Sequence, residues 1–150
     1  SLPAGLPLNS GTGVISGTST QLGAAVLNIR LTDSGGRTTV RFYSLAVVPL
    51  TAPAAFTKTS PANGATKVGT TSATLSWGDS SRAMSYEYCI DTVNNGLCDS
   101  AAGWVSTGTN RTVTVTGLAR KTAYYWQVRA RNPAGVTDAD TSTWWRFTTG

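Results

Sequence analysis

The chain has no histidine, one methionine, one glutamate (Glu87) and two cysteines in 150 residues. Without histidine it lacks the side chain that most often serves as general base and most often ligates a metal. Serines and threonines abound, but none can be activated in a Ser-His-Asp arrangement. Charged residues make up 13% of the chain, about half the usual share. No apolar run approaches the ~20 residues that a membrane-spanning helix needs. No basic-then-apolar leader stands at the N-terminus; for a secreted chain, the expectation is that it has been removed. Helical periodicity is almost absent, since no stretch keeps apolar residues at i, i+3, i+4, i+7 between caps.

What is present is period-two alternation. Ala25, Leu27, Ile29 and Leu31 alternate with Val26, Asn28 and Arg30, and Tyr43, Leu45 and Val47 alternate with Ser44 and Ala46. Later come "SATLSW", "SYEYCI", "RTVTVT", "YYWQVRAR" and "WWRFTT", separated by the turn-forming "DSGG", "ANGA", "NNG" and "NPAG". Short strands between regular turns imply an all-β fold built of sandwiches. The formal charge is +5, but the basic residues are dispersed from Arg30 to Arg146. That distribution describes a soluble β-protein that happens to be basic rather than a nucleic-acid surface.

Pro49 and Pro53 cannot donate to a ladder and bracket a short Ala/Thr stretch. Residues 49–53 therefore read as a linker between a segment at 1–48 and a domain at 54–150. In the second segment, strand A lies around Phe56. Leu75 and Trp77 face inward on the next strand, followed by Tyr86, Tyr88 and Ile90. Tyr124, Trp126, Val128 and Ala130 share one face of "AYYWQVRAR", and Tyr125, Gln127, Arg129 and Arg131 share the other. A single last strand is expected at "WWRFTT".

Trp77 together with "GLARKTAYYWQVRARNPAG" resembles the fibronectin type III family. Tyr124 falls at that family's corner tyrosine, whose hydroxyl the resemblance ties to backbone near Leu118. Arg120 departs from the pattern, because a proline is usual there. The resemblance implies a sandwich over 54–150 and says almost nothing about function. The stretch "CIDTVNNGLCDSAAGWVSTGTN" with "TWWRFTTG" looks like a variant from large bacterial surface proteins that carry such modules in tandem.

Cys89 and Cys98 end the stretch "CIDTVNNGLC", whose Asn95-Gly96 suits a tight turn. A hairpin would bring the two sulfurs together, and a disulfide implies an oxidising compartment. Two thiols without histidine are a poor zinc set. Asp91, Asn94, Asn95 and Asp99 could offer oxygen to calcium, but such residues also build turns. No metal or other cofactor is expected.

Asp138 and Asp140 share one loop rather than facing each other across a cleft, as a glycosidase pair must. No catalytic residue is assigned, and the chain is expected not to be an enzyme. Trp144 and Arg146 should lie beside Tyr125 and Arg129, giving either a ligand face for glycans or a ladder that stiffens the sheet. An intramolecular amide crosslink needs a buried lysine, and Lys58, Lys67 and Lys121 all look exposed. Asn110 opens an Asn-Arg-Thr glycosylation sequon.

The opening "LPAGLPLN", "TGVISGT", Gly23, "LTDSGGRT" and "YSLAV" resemble a cadherin-like immunoglobulin family of bacterial surface proteins. In that family these motifs form the later half of the domain. The first segment is therefore expected to be an incomplete sandwich. Ala25, Leu27, Ile29, Tyr43, Leu45 and Val47 would form an apolar face that needs a partner sheet. The expected partners are other copies of the chain or neighbouring domains of the same protein, with the surface of a cell as the setting. Half a sandwich at one end is a head-to-tail joint, which can propagate into a filament. The alternative is an adhesion or carbohydrate-binding module of a larger secreted protein.

Overall fold

A computed structural model describes all 150 residues. The chain forms two compact units, Ser1–Pro49 and Leu50–Gly150.

The first unit holds one two-stranded antiparallel sheet. Strand β1 (Gly23–Thr32) pairs with β2 (Thr38–Val47), from Gly23 opposite Val47 to Thr32 opposite Thr38. The Asp33 carboxylate closes the hairpin by accepting the Gly35 and Arg37 amides at 2.9 Å each. The preceding arm is folded on itself. Leu8 bridges Ile15, and the Asn9 side chain accepts the amides of Gly11 and Thr12. Gly5 and Gly17 hold positive φ, and a side chain at either would overlap a carbonyl, that of Thr18 or of Gly5; this is why "LPAGLP" and "ISGT" carry glycine at these points.

The second unit is a two-sheet sandwich. One sheet contains β3 (Lys58–Ser60), β4 (Ser72–Trp77) and β7 (Thr112–Thr116) in the order β3-β4-β7. The other contains β5 (Ser85–Asp91), β6 (Val105–Gly108), β8 (Ala123–Asn132), β9 (Gly135–Asp138) and β10 (Trp145–Thr148). Its order is β10-β8-β5-β6, with β9 also paired to β8. The inward alternation of each strand supplies the core: Phe56, Leu75, Trp77, Tyr86, Trp126, Val128, Ala130 and Phe147 are buried, with Tyr88, Ile90 and Tyr124 packed against them. Each large apolar side chain so buried stabilises by about 1.5–3 kcal/mol relative to exposure. Tyr124 accepts the Ala119 amide at 2.8 Å, one residue beyond Leu118, and closes the turn into β8.

Two parts differ from the sequence expectation. Residues 51–53, expected within a linker, are tied to the second unit. Asn132 donates to the Thr51 carbonyl at 2.8 Å, Arg82 to that of Ala52 at 3.2 Å, and Thr137 to that of Pro53 at 2.7 Å. A strand that was not expected, β9, also precedes the expected last strand. β9 and β10 lie along β8 on either side of a turn at Ala139–Ser142, where Asp140, Thr141 and Ser142 take φ of 50°, 52° and 68°. Three successive left-handed residues cannot stay in a ladder.

Candidate functional site

Three features carry polar chemistry or exposed apolar surface. The first is the hairpin of the first unit. No residue of 1–49 is buried. Ala25 lies opposite Leu45, and Leu27 opposite Tyr43, so the six expected face residues project from one side of the sheet. Ala25, Leu27, Leu45 and Val47 are half-buried, whereas Ile29 and Tyr43 are 38% and 55% exposed. On the other side, Val26 and Phe42 are 65% and 70% exposed. A groove of about 260 Å³ opens between the arm and β1, lined by Leu2, Leu8, Ile15, Leu27 and Ile29. Each strand is paired along one edge only, so two rows of backbone groups stay free.

The second feature is the gap between β9 and β10, where Lys58 sits. Expected to be exposed, its side chain is 0% exposed. In "FTKTS" it shares the inward face with Phe56, and its long stem carries the ammonium to the break between β9 and β10. The three N–H donors meet three acceptors: Gln127 Oε1 at 2.6 Å, Thr143 O at 2.8 Å and Asp140 Oδ2 at 2.9 Å. The Trp126 and Trp145 rings lie 5.7 and 5.3 Å from the nitrogen, close enough for their faces to favour a cation. Burial pushes the Lys58 pKa down from its ordinary 10.5, opposed by the hydrogen bond and charge of Asp140 and by the charge of Asp138. Three acceptors around Nζ match its three donors, and Asp140 makes the arrangement an ion pair. Lys67 and Lys121 are exposed.

The third feature is the outer side of the five-stranded sheet. Arg129 Nε reaches Glu87 Oε2 at 2.6 Å, and Arg131 reaches Glu87 Oε1 at 2.8 Å. Burial alone would raise the Glu87 pKa, but the hydrogen bonds from Arg131 and Arg129 outweigh it and hold the carboxyl below its ordinary 4.5. The Arg129 guanidinium lies over the Trp104 ring at 4.1 Å, and Trp104 packs on Trp144 at 6.3 Å. Arg146 pairs across from Tyr125. The four residues expected to share this face thus fall into two groups, Arg129 with Trp144 around Trp104, and Tyr125 with Arg146. Trp104 was not among those four; its only sequence signal is its place just before the return strand.

Cys89 and Cys98 form a disulfide, with Cα atoms 5.9 Å apart. Asp91, Asn95 and Asp99 of its loop are occupied in local hydrogen bonds. Asp91 accepts the Thr92 and Val93 amides at 2.7 and 3.0 Å, and Asn95 accepts the Leu97 amide at 3.0 Å while donating to Asp99 at 2.7 Å. Asp138 accepts from Ser142 at 3.0 Å.

Residues 1–48 match the model of a family described as Putative Ig domain. No curated protein matches the chain. Solved structures similar to it are fibronectin type III domains. A domain named FN3tt is 17% identical and covers 66% of this chain and 94% of its own, with a TM-score of 0.42. The domain of human fibronectin type III domain containing protein 3 is 23% identical and covers 69% and 92%, at 0.45. The chicken CNTN1 FN1–FN3 domains are 14% identical and cover 91% and 45%, at 0.49. The second unit is a two-sheet β-sandwich, and the stretch that the Ig family model matches is residues 1–48.

Proposed function

We propose that this chain is a non-enzymatic structural module of an extracellular or cell-surface protein, and that it associates with other copies of itself through the hairpin of residues 1–49. The carrying observation is that no residue of this unit is buried. Two ten-residue strands with free outer edges and apolar side chains on both faces are the surface that strand addition uses. A unit of this size without a buried core gains too little from burial to offset its chain entropy. The hairpin of a second copy offers the same alternation and the same free edges, so pairing between copies completes both. The disulfide supports an oxidising compartment.

The test is the mass of the purified chain in solution, with negative-stain imaging of the same sample. Ordered assemblies, dispersed by Leu27→Arg or Leu45→Arg, are expected. A monodisperse monomer at high concentration would reject self-association and leave the hairpin to be completed by strands of a longer chain or of another protein.

A further inference from the structure

The chain contains the dipeptide Asn-Gly twice, at Asn63-Gly64 and Asn95-Gly96. All four residues are exposed, and both glycines hold a left-handed φ, 83° and 72°. Each asparagine side-chain oxygen also accepts a main-chain amide, that of Arg146 at 2.9 Å for Asn63 and that of Leu97 at 3.0 Å for Asn95. The two sites differ at the glycine nitrogen. The Gly64 amide donates to the Arg146 carbonyl at 2.7 Å, so both residues of that dipeptide are bound to β10. The Gly96 amide donates to nothing, and no main-chain pair holds residues 92–99. That stretch is shaped by the Asp91 and Asn95 side chains and closed by the disulfide.

The difference has a chemical consequence. The amide nitrogen that follows an asparagine can attack the side-chain carbonyl carbon, and glycine, with no Cβ, leaves the approach open. The Gly96 nitrogen gives up its proton and bonds to Asn95 Cγ. The Cγ–Nδ2 bond breaks, and Nδ2 leaves with a proton as ammonia. Negative charge that builds on Oδ1 during the attack faces the Leu97 amide, a donor already in place. Water then opens the cyclic imide, its hydroxyl going to one of the two carbonyl carbons and its proton to the nitrogen. Opening at the side-chain carbon gives aspartate, and opening at the main-chain carbon gives isoaspartate. At Asn63 the same attack requires the bond from Gly64 to Arg146 to open first.

We propose that Asn95 is a site of spontaneous deamidation in the folded protein, and that Asn63 is protected by its attachment to β10. The product alters its own loop. Asn95 Nδ2 donates to Asp99 Oδ2 at 2.7 Å. The new carboxylate replaces that donor and meets Asp99 as a like charge. The formal charge of the chain falls by one from +5. The change falls within the disulfide-closed loop, which presents Val93 and Leu97, 54% and 62% exposed. This inference does not depend on self-association.

The experiment ages the full chain at physiological temperature and mildly alkaline pH, with parallel samples in urea and reductant. Peptide mapping by mass spectrometry follows both asparagines. In the folded chain Asn95 is expected to convert faster than Asn63 by about fivefold or more, the factor that opening one hydrogen bond implies. In urea the two rates should converge. Isoaspartate and aspartate should both form at Asn95. In Gly96→Ala the added Cβ meets nothing within 4 Å but obstructs the attack, so conversion at Asn95 should slow while Asn63 is unchanged. A smaller ratio in the folded chain, a ratio that persists in urea, aspartate without isoaspartate, or an undiminished rate in Gly96→Ala overturns the proposal.

Discussion

Lys58 Nζ and Gln127 Oε1 stand 2.6 Å apart, in residues that are 2% and 1% exposed. The Gln127 carboxamide uses every position it has. Its oxygen also accepts the Val128 amide at 2.8 Å, and its nitrogen donates to the Ala139 and Thr143 carbonyls at 3.1 Å each. The side chain stands in for the backbone ladder that the left-handed turn removes from β8.

Gln127→Leu leaves a buried ammonium one acceptor short and orphans an amide and a carbonyl. Unmet buried groups cost about 1–3 kcal/mol each, so a loss of about 3 kcal/mol or more is expected in urea titration. An unchanged midpoint would show that the cluster contributes nothing to stability.

Glu87 gives the acid side of the stability curve its slope. Its folded pKa lies below the ordinary 4.5, so the unfolded chain binds the proton first as pH falls. The stabilisation is complete above 4.5 and is lost as pH falls through the folded value. Urea midpoints measured from neutral pH downward should therefore fall below that point in the parent. In Glu87→Gln the curve should be flatter over the same range.

The disulfide closes a loop with a sequence separation of 9. On the chain-entropy account a loop of this size contributes about 2.5 kcal/mol. The double variant Cys89→Ala/Cys98→Ala should lose about that amount, and added reductant should then have no further effect on it.

Thr141 and Ser142 sit at positive φ, 52° and 68°, and both are exposed. A left-handed conformation costs a non-glycine residue roughly 1 kcal/mol or more. Thr141→Gly and Ser142→Gly should each recover part of this. Thermal unfolding should rise by a few degrees, since ~1 kcal/mol shifts Tm by roughly 4–8 °C in a domain of this size.

The strands of the second unit were legible because alternation and burial agree there. Leu75 and Trp77, Tyr86 and Tyr88, and Trp126 and Val128 all face where period two puts them. The cysteine pair followed from local turn chemistry, and the Tyr124 corner from the family resemblance. Lys58 was not legible, since a lysine on an inward position reads as exposed until its three acceptors are known, and those lie 69 to 85 residues away. Strand β9 and the left-handed course of the loop after it were hidden for a related reason. Nothing in "DADTSTWW" announces a left-handed turn, which glycine would have signalled. Gln127 lies on the side of β8 where polar residues were expected, but the loop between β9 and β10 encloses it. In the first unit, alternation located both strands, yet it describes a face without describing what covers it.

Hydrogen exchange of the β1 and β2 amides, followed across a wide range of protein concentration, tests self-association most directly. If the hairpin of one copy completes that of another, protection at residues such as Leu27, Ile29, Tyr43 and Leu45 rises with concentration and disappears in Leu27→Arg. Protection that stays the same at every concentration would contradict the account, because the hairpin would then owe nothing to a second copy.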